Sequence, residues 1–259
     1  MAELSIRGAM AASGLRLMTI AGVPSPWSEA VKGILYVKGL EYRSFDQTGE
    51  DGGALQEWTR QDSKPVLVWN DERPATGWAE ILHLSERLQR SPRLIPEDPL
   101  ERTQTFGFSH ELCGEMGLGW AYRILMVEVG HGNGNDSSAG FPGAVVEMLA
   151  HKYGWSKGMA AVAKTRVIEI LGGLDRQLAR QQELGRQFLV GDRLSVVDIY
   201  WAAFCAILNP LPDDQCPMID FIRTAYTCRD EEIIESLSAR LLQHRDDIYA
   251  NHLELPVRW

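Results

Sequence analysis

The sequence predicts two domains of different fold class, an α/β domain followed by an all-helical domain. Short apolar runs with strand character alternate with helical runs as far as residue 90. A proline-rich segment follows, and beyond it strand signals nearly vanish while long helical runs continue. The predicted division is a disordered extension over residues 1–14, an α/β domain over 15–90, a linker over 91–99 and a helical domain over 100–259.

The α/β domain begins with an apolar run over residues 15–20, which is typical of a buried strand. Gly22 and Pro24 end this strand, and helical spacing of apolar residues then continues to Gly39. Residues 1–14 are small and polar, which favours disorder. The later segments are predicted as strands at 41–45 and 65–69, helices at 55–61 and 79–88, a weak strand at 72–75 and a polar loop at 48–54.

The remainder of the chain has the apolar periodicity of helices. Glycines at 114, 117 and 119 weaken the first of these helices without ending it. The predicted helices cover residues 100–127, 156–184, 195–208 and 230–249, with a glycine-rich, mobile surface loop at 130–140.

The strongest local signal is the start of the helix at 195–208. Ser195 is predicted to cap this helix by accepting from the Asp198 amide, while the Asp198 carboxylate reaches back to the Ser195 amide. Leu194 and Ile199 complete the arrangement as a hydrophobic staple. Ser195 and Asp198 are therefore predicted to form a structural cap on a buried helix.

Charge and cysteine content exclude several classes of function. The net charge of −9 argues against binding to nucleic acids or anionic membranes, because both need a basic surface. The four cysteines form no C-x-x-C pair, and no histidine or cysteine has metal-ligand spacing, so we expect reduced thiols and no metal. No membrane span or signal peptide is expected, and the cytoplasm is the expected location.

The segment Ser25-Pro26-Trp27-Ser28 joins the first strand to the first helix. A serine before proline leaves its hydroxyl at the helix N-terminus, where unpaired N–H groups and a partial positive charge favour an anion such as a thiolate. The alternative is a turn in which Ser25 only caps the helix. Further along the chain, Pro65 opens a strand directly after Lys64.

Together these two patterns resemble the thioredoxin-like domain of soluble glutathione transferases. The segment from Phe188 to Asp198 resembles the Leu-x-Gly-Asp … Ser/Thr-x-x-Asp segment of that family's helical domain. Residues 94–102 resemble its interdomain segment, so the resemblance covers roughly residues 15–210 in the family's order. It implies the glutathione transferase fold, and the serines place the chain near the serine-type theta, omega and beta classes.

The resemblance also implies roles for individual residues. The Ser25 hydroxyl would donate to the glutathione thiolate and lower the thiol pKa. Pro65 would be a cis-proline that exposes the Lys64 backbone to the cysteinyl part of glutathione, although an ordinary trans proline at a strand start is the alternative. Trp27 and Ser28 belong to the same implied site, and either serine is open as the thiol contact.

One pair of residues departs from the family pattern. The family holds the γ-glutamyl group of glutathione with an acidic residue followed by serine, and the matching pair here is Thr76-Gly77. Thr76 lacks the negative charge for an ammonium group, and Gly77 offers only a backbone N–H at a helix start. Glu80 is a candidate substitute one turn further along.

The electrophile site of the family lies between the two domains. Four residues of the predicted helix at 100–127 have spacing that favours one face and are candidates to line it: Phe106, His110, Cys113 and Trp120. The alternative for each of these side chains is packing at a domain interface. The loop at 130–140 is a candidate cover for the cleft.

Two functions follow from the resemblance. The first is a detoxification-type transferase in which the glutathione thiolate attacks a small hydrophobic electrophile, by conjugation or by related isomerase, ether-cleavage or dehalogenation chemistry. The alternative is a non-catalytic binding protein that has kept the fold and lost the thiol site. Glutathione would be the co-substrate, and the family implies a homodimer.

Overall fold

The computed structural model describes residues 4–46, 53–132 and 141–258. The chain divides into two compact units, which we call the N-terminal unit (Met1–Arg93 with Arg258–Trp259) and the helical unit (Leu94–Val257). The change from one unit to the other thus falls inside the segment where the sequence predicts a linker. The predicted loops at 48–54 and 130–140 lie largely outside the described residues.

The N-terminal unit contains a mixed sheet with the strand order β1-β3-β2-β4. The central strand β2 runs parallel to β3 and antiparallel to β4. The elements of this unit are β1 (Leu4–Ser5), α1 (Ile6–Ala11), β2 (Leu15–Met18), α2 (Pro26–Val37), β3 (Arg43–Asp46), α3 (Ala54–Thr59), β4 (Val66–Trp69) and α4 (Trp78–Leu88).

Apolar side chains cover both faces of this sheet. Leu17 belongs to a core cluster with residues of α2 and α4, whereas the next residue, Met18, belongs to a cluster with residues of α1 and α3. Successive residues of a strand point to opposite faces, so β2 is buried on both sides and is apolar throughout except at Arg16. The result is the thioredoxin-like α/β layering that the sequence predicts.

The weak strand at 72–75 is reduced to a single antiparallel bridge. Leu67 and Ala75 exchange both backbone hydrogen bonds, at 2.9 and 2.8 Å. Directly after β4 the chain turns, with the Glu72 amide donating to the Trp69 carbonyl at 3.0 Å, and the ladder does not extend beyond this bridge.

The prediction of a disordered extension over residues 1–14 is wrong for the described residues from Leu4 onward. β1 pairs with β3, and Ile6 and Ala9 of α1 are fully buried. The guanidinium of Arg16, itself enclosed, donates to the carbonyl groups of Ala9, Ala12 and Asn70. These contacts supply the fixed partners that the composition of the segment did not indicate.

The helical unit contains α5 to α12. Their bounds are α5 (Pro99–Cys113), α6 (Leu118–Gly132), α7 (Gly143–Tyr153), α8 (Met159–Glu183), α9 (Val196–Cys205), α10 (Asp220–Tyr226), α11 (Glu231–Ser236) and α12 (Ala239–His252). The single helix predicted at 230–249 is two helices, because Ser238 caps α12 by accepting from the Leu241 amide at 3.2 Å.

The single helix predicted at 100–127 is also wrong, since the chain breaks between α5 and α6. A side chain at Gly114 or Gly117 would place its Cβ 2.8 or 2.7 Å from the His110 carbonyl oxygen, closer than any real contact. The glycines therefore permit a close approach of backbone to backbone, which ends α5 at Cys113.

The helix α9 starts at a denser polar cluster than the predicted cap. The Asp198 carboxylate accepts from the Ser195 amide at 2.9 Å, as predicted, but the Ser195 hydroxyl donates to Asp198 instead of accepting from its amide. Asp198 also accepts from the Leu189 amide at 2.8 Å and contacts His244 Nε2 at 2.9 Å. This fully buried carboxylate thus ties three segments of the helical unit together.

Among residues 4–46, 53–132 and 141–258, no helix combines the length and the apolar composition needed to cross a membrane.

Candidate active site

The register of the sheet determines which predicted site residues come together. Met18, the last residue of β2, pairs with Val66, the first residue of β4. The chain leaves β2 toward Ser25 and enters β4 from Pro65, so both segments lie at the same edge of the sheet. The bridge between Leu67 and Ala75 brings the following residues, Thr76 and Gly77, to that edge as well.

Ser25 is the N-cap residue of α2, and Pro26 is the first helical residue. Its backbone is engaged, because its amide donates to Val23 at 2.8 Å and its carbonyl accepts from Glu29 at 2.9 Å. Its hydroxyl makes no capping hydrogen bond and has no partner among the described residues. Although Ser25 is largely buried, it thus has a free donor at the positive end of a helix.

Ser28 is placed differently from Ser25. It is fully enclosed, and its hydroxyl accepts from the Ile20 amide at 3.4 Å. This contact fixes the connection from β2 to α2, and the enclosed side chain leaves no surface for a ligand. The role of Ser28 as a glutathione contact stays a prediction, and Trp27 lies half-buried in the first turn of α2.

The peptide bond between Lys64 and Pro65 is cis. Pro65 is buried, and Lys64 is half-buried with its Nζ 3.7 Å from Asp46 Oδ1. The side chain of Lys64 is thus directed to the end of β3.

Thr76 and Gly77 lie at the start of α4, where their backbone amides are already occupied. The Glu80 carboxylate accepts from the Thr76 amide at 3.0 Å and from the Gly77 amide at 3.1 Å, and Arg73 donates to its other oxygen. These bonds, first that from Thr76, lower the pKa of Glu80, so it remains a carboxylate. The donors available for a ligand's carboxylate are therefore held by the chain's own side chain.

Glu29 is a residue that sequence reasoning missed. It lies one turn beyond Ser25 in α2, with its side chain only 9% exposed and one oxygen 2.7 Å from Lys32 Nζ. The other oxygen, Oε1, is buried with no hydrogen-bond partner among the described residues. Burial raises the pKa of Glu29 to about 7, although Lys32 opposes the shift. A charged residue in the first turn of a helix is normally exposed to solvent, so the sequence around Glu29 did not indicate that its side chain is buried.

The four predicted electrophile contacts all lie in the helical unit, but not on one helix. Phe106, His110 and Cys113 are on α5, whereas Trp120 is on α6 beyond the break. Trp120 Nε1 donates to the Tyr153 carbonyl at 3.0 Å, and its ring packs edge-on against the Tyr153 ring. The prediction that these residues share one helical face is wrong for Trp120, since the turn at Gly114 reorients it.

The α5 residues differ among themselves in exposure. His110 is exposed, and Phe106 is half-buried beneath the Arg102 guanidinium, which lies 5.1 Å from the ring centroid. Cys113 is buried, and its burial raises the pKa of the thiol well above its usual value. Cys113 is therefore a packing residue and not a ready thiolate.

Within the described part of the chain, no group of three or more histidine, cysteine or acidic side chains is arranged to hold a metal ion.

No protein-family model and no curated protein matches the chain. Several solved structures match the chain. The β-etherase LigF of Sphingobium is 17% identical with a TM-score of 0.63, over 92% of this chain and 95% of that one. The nitrogen regulation fragment of the yeast prion protein Ure2p, which is also solved with glutathione, is 15% identical with a TM-score of 0.56, over 87% of this chain and 96% of its own.

A glutathione S-transferase of the hookworm Necator americanus, described as monomeric, is 15% identical with a TM-score of 0.56 over 92% of each chain. At these identities the likeness establishes the fold. The chain has the glutathione transferase fold, with a thioredoxin-like unit followed by a helical unit.

Proposed function

We propose that the chain is a serine-type, glutathione transferase-like enzyme in which the thiolate of glutathione attacks a small hydrophobic electrophile. The observation that carries this proposal is the unpartnered Ser25 hydroxyl at the N-terminus of α2. It lies at the edge of the sheet where Lys64 and Pro65 enter β4. The fold supports the proposal because glutathione is bound by another protein with this fold, Ure2p.

In this proposal Ser25 donates its hydroxyl hydrogen to the glutathione sulfur. A charge-assisted hydrogen bond and the helix terminus both favour the ionised thiol, so they lower its pKa and raise the thiolate fraction near neutral pH. The thiolate electron pair then forms the new sulfur–carbon bond, and the leaving group departs with its own electron pair. The Lys64 backbone and Trp27 are the proposed contacts of the cysteinyl part.

The γ-glutamyl end is proposed to be atypical. Thr76 and Gly77 carry no acidic side chain, and Glu80 holds their amides. Glutathione would have to displace Glu80, or bind with its γ-glutamyl ammonium directed to that carboxylate. We infer that affinity for glutathione is weaker than in a site with free amides.

The same observation favours a second function, a binding protein with this fold and no thiol chemistry. Glu80 occupies the position in which a ligand carboxylate would accept from the Thr76 amide. In addition, a protein fragment named for nitrogen regulation, that of Ure2p, has this fold. For either function the proposed setting is a cytoplasmic homodimer.

Calorimetric titration of the full chain with glutathione tests the proposed enzyme, because that function requires glutathione to bind. Saturable binding at millimolar ligand or below is expected for the enzyme, and no heat at that concentration supports the binding protein. For the bound thiol, Ser25→Ala should raise the pKa read from the ultraviolet absorbance of the thiolate, whereas the exposed Ser13→Ala should not. An unchanged pKa in Ser25→Ala would remove this serine from the mechanism.

A further inference from the structure

The helical unit contains a partly open cavity of about 580 Å³, a volume that suits a small organic molecule. It lies among α6, the start of α8 and the chain from α10 to α11. The residues that line it include the apolar Met126, Val129, Phe141 and Ile233. None of the four predicted electrophile contacts lines it, so this cavity is not the site discussed above.

One end of the cavity is polar but uncharged. Tyr122 and Cys228 both line it. Burial, with the Cys228 contact, raises the pKa of Tyr122 well above its usual value, so its hydroxyl keeps its proton and is a donor. The Cys228 thiol donates to the Asp230 carbonyl at 3.9 Å. The protonated Tyr122 hydroxyl is thus a donor that suits an oxygen acceptor on a ligand.

The charged groups in the wall are already paired. Lys164 Nζ lies 2.9 Å from Asp230 and 2.7 Å from Glu232, and Glu128 accepts from Trp155 Nε1 at 2.8 Å. Arg229 is exposed at the rim, where an ion pair contributes little. A charged ligand would lose its hydration without gaining a free counter-charge inside.

We propose that this cavity is a second binding site, which takes an uncharged, largely apolar molecule carrying one oxygen acceptor, such as a ketone or an ether. The oxygen accepts from the Tyr122 hydroxyl, and the apolar body packs against Met126, Val129 and Phe141. The site does not depend on glutathione or on Ser25.

Prodan, an uncharged fluorescent naphthyl ketone, is a suitable probe for the full chain. It is expected to bind saturably with a blue-shifted emission.

Tyr122→Phe removes only the hydroxyl and should weaken binding about three- to tenfold. Ala225→Phe places a ring at the half-buried wall and should weaken binding at least about tenfold. The matched changes Tyr36→Phe and Ala250→Phe, at exposed positions, should leave the affinity unchanged. An Ala225→Phe chain that binds prodan as tightly as the original overturns the proposal.

A second measurement needs no variant, since the chain contains its own control thiols. Cys228 is 9% exposed and lines the cavity, whereas Cys113, Cys205 and Cys216 are 4, 0 and 2% exposed. N-ethylmaleimide should therefore label Cys228 first, as read by mass spectrometry of peptides. Prodan at about ten times its Kd should slow that labelling about tenfold. Labelling of all four thiols at one rate, or a Cys228 rate that prodan leaves unchanged, overturns the proposal.

Discussion

At the scale of single residues, two carboxylates near the candidate site carry the clearest electrostatic consequences. Glu29 is buried with one oxygen unpartnered, and Glu80 is half-exposed with both oxygens engaged. Their sequence contexts are similar, since each lies in the first turn of a helix. Burial raises the pKa of Glu29, whereas backbone hydrogen bonds, first that from Thr76, lower the pKa of Glu80. Burial of a charged side chain depends on segments that the local pattern does not contain.

The raised pKa of Glu29 makes stability depend on pH. The ordinary pKa of 4.5 applies to Glu29 in the unfolded chain, and the pKa of about 7 applies in the folded chain. Between these two pH values the folded chain keeps a proton that the unfolded chain has lost. The stabilisation is therefore complete below about pH 4.5 and is lost as the pH rises through 7. The expected loss is about 3 kcal/mol in the free energy of unfolding. Glu29→Gln should remove this loss, as measured by urea unfolding at about pH 5 and pH 8.

The exposed Glu41→Gln is the control for Glu29 and should keep the fall in stability of the original chain. A Glu29→Gln chain with the same pH dependence as the original would show that this carboxyl does not carry it.

Glu80 is predicted to compete with the γ-glutamyl carboxylate for two amides. Glu80→Ala frees the amides of Thr76 and Gly77, so glutathione should bind about three- to tenfold more tightly, while cysteinylglycine, which lacks the γ-glutamyl group, should be unaffected. The helix cap is lost, at a cost of about 1 kcal/mol in stability. Calorimetry of both ligands on both chains measures the difference, and a weaker affinity for glutathione alone would instead indicate that Glu80 holds the ammonium group.

At the scale of elements, the sequence predicted the helices and strands whose buried faces follow from the spacing of their own apolar residues. The strands β2 and β4 and the helices α2, α4, α8 and α9 are all found where apolar spacing indicates them. The break at Gly114 was missed because it depends on the approach of the His110 backbone, and a glycine in a helical pattern does not reveal such a neighbour. The role of Arg16 was missed for the same reason, since its acceptors lie in α1 and at Asn70.

In the candidate site the sequence indicated which residues lie at the sheet edge, but not which hydrogen bonds they make there. Ser25, Lys64 and Thr76 are brought to one edge by strand register, which follows from the order of the elements. The capture of the Thr76 and Gly77 amides by Glu80 depends on one side-chain rotamer, and no pattern of residue types specifies that.

The cap of α9 is expected to be a major contributor to the stability of the helical unit. Asp198→Asn replaces an acceptor of four hydrogen bonds with a group that presents N–H donors to other donors. Leaving buried amides unpaired should lower the free energy of unfolding by about 3 kcal/mol. Chemical unfolding measures the change, and the exposed Asp192→Asn should stay within about 0.5 kcal/mol of the original chain. A similar small effect at Asp198 would show that water replaces its bonds.

At the scale of the whole molecule, the surface bears on how copies of the chain associate. The exposed large apolar side chains of the described residues lie on different elements, including Tyr36 on α2, Met148 on α7 and Ile234 on α11. Scattered apolar residues do not make the extended patch of a permanent dimer. The net charge of −9 on each copy adds repulsion.

The proposed homodimer is therefore expected to dissociate on dilution and to tighten with salt, because salt screens the repulsion between like-charged copies. Sedimentation velocity over a range of protein and salt concentrations measures both trends. A single dimeric boundary at every dilution would indicate a large, permanent interface, and a monomer at every concentration would end the homodimer proposal.

The hydrogen bonds from Arg16 to α1 and to the residue that follows it determine how far the chain can be shortened at its N-terminus. A chain that started at β2 would lack the Ala9 and Ala12 carbonyls that accept from the Arg16 guanidinium. It would also expose the apolar face of the sheet that α1 covers. Such a product should collect in inclusion bodies, whereas a cut placed before Leu4 should not.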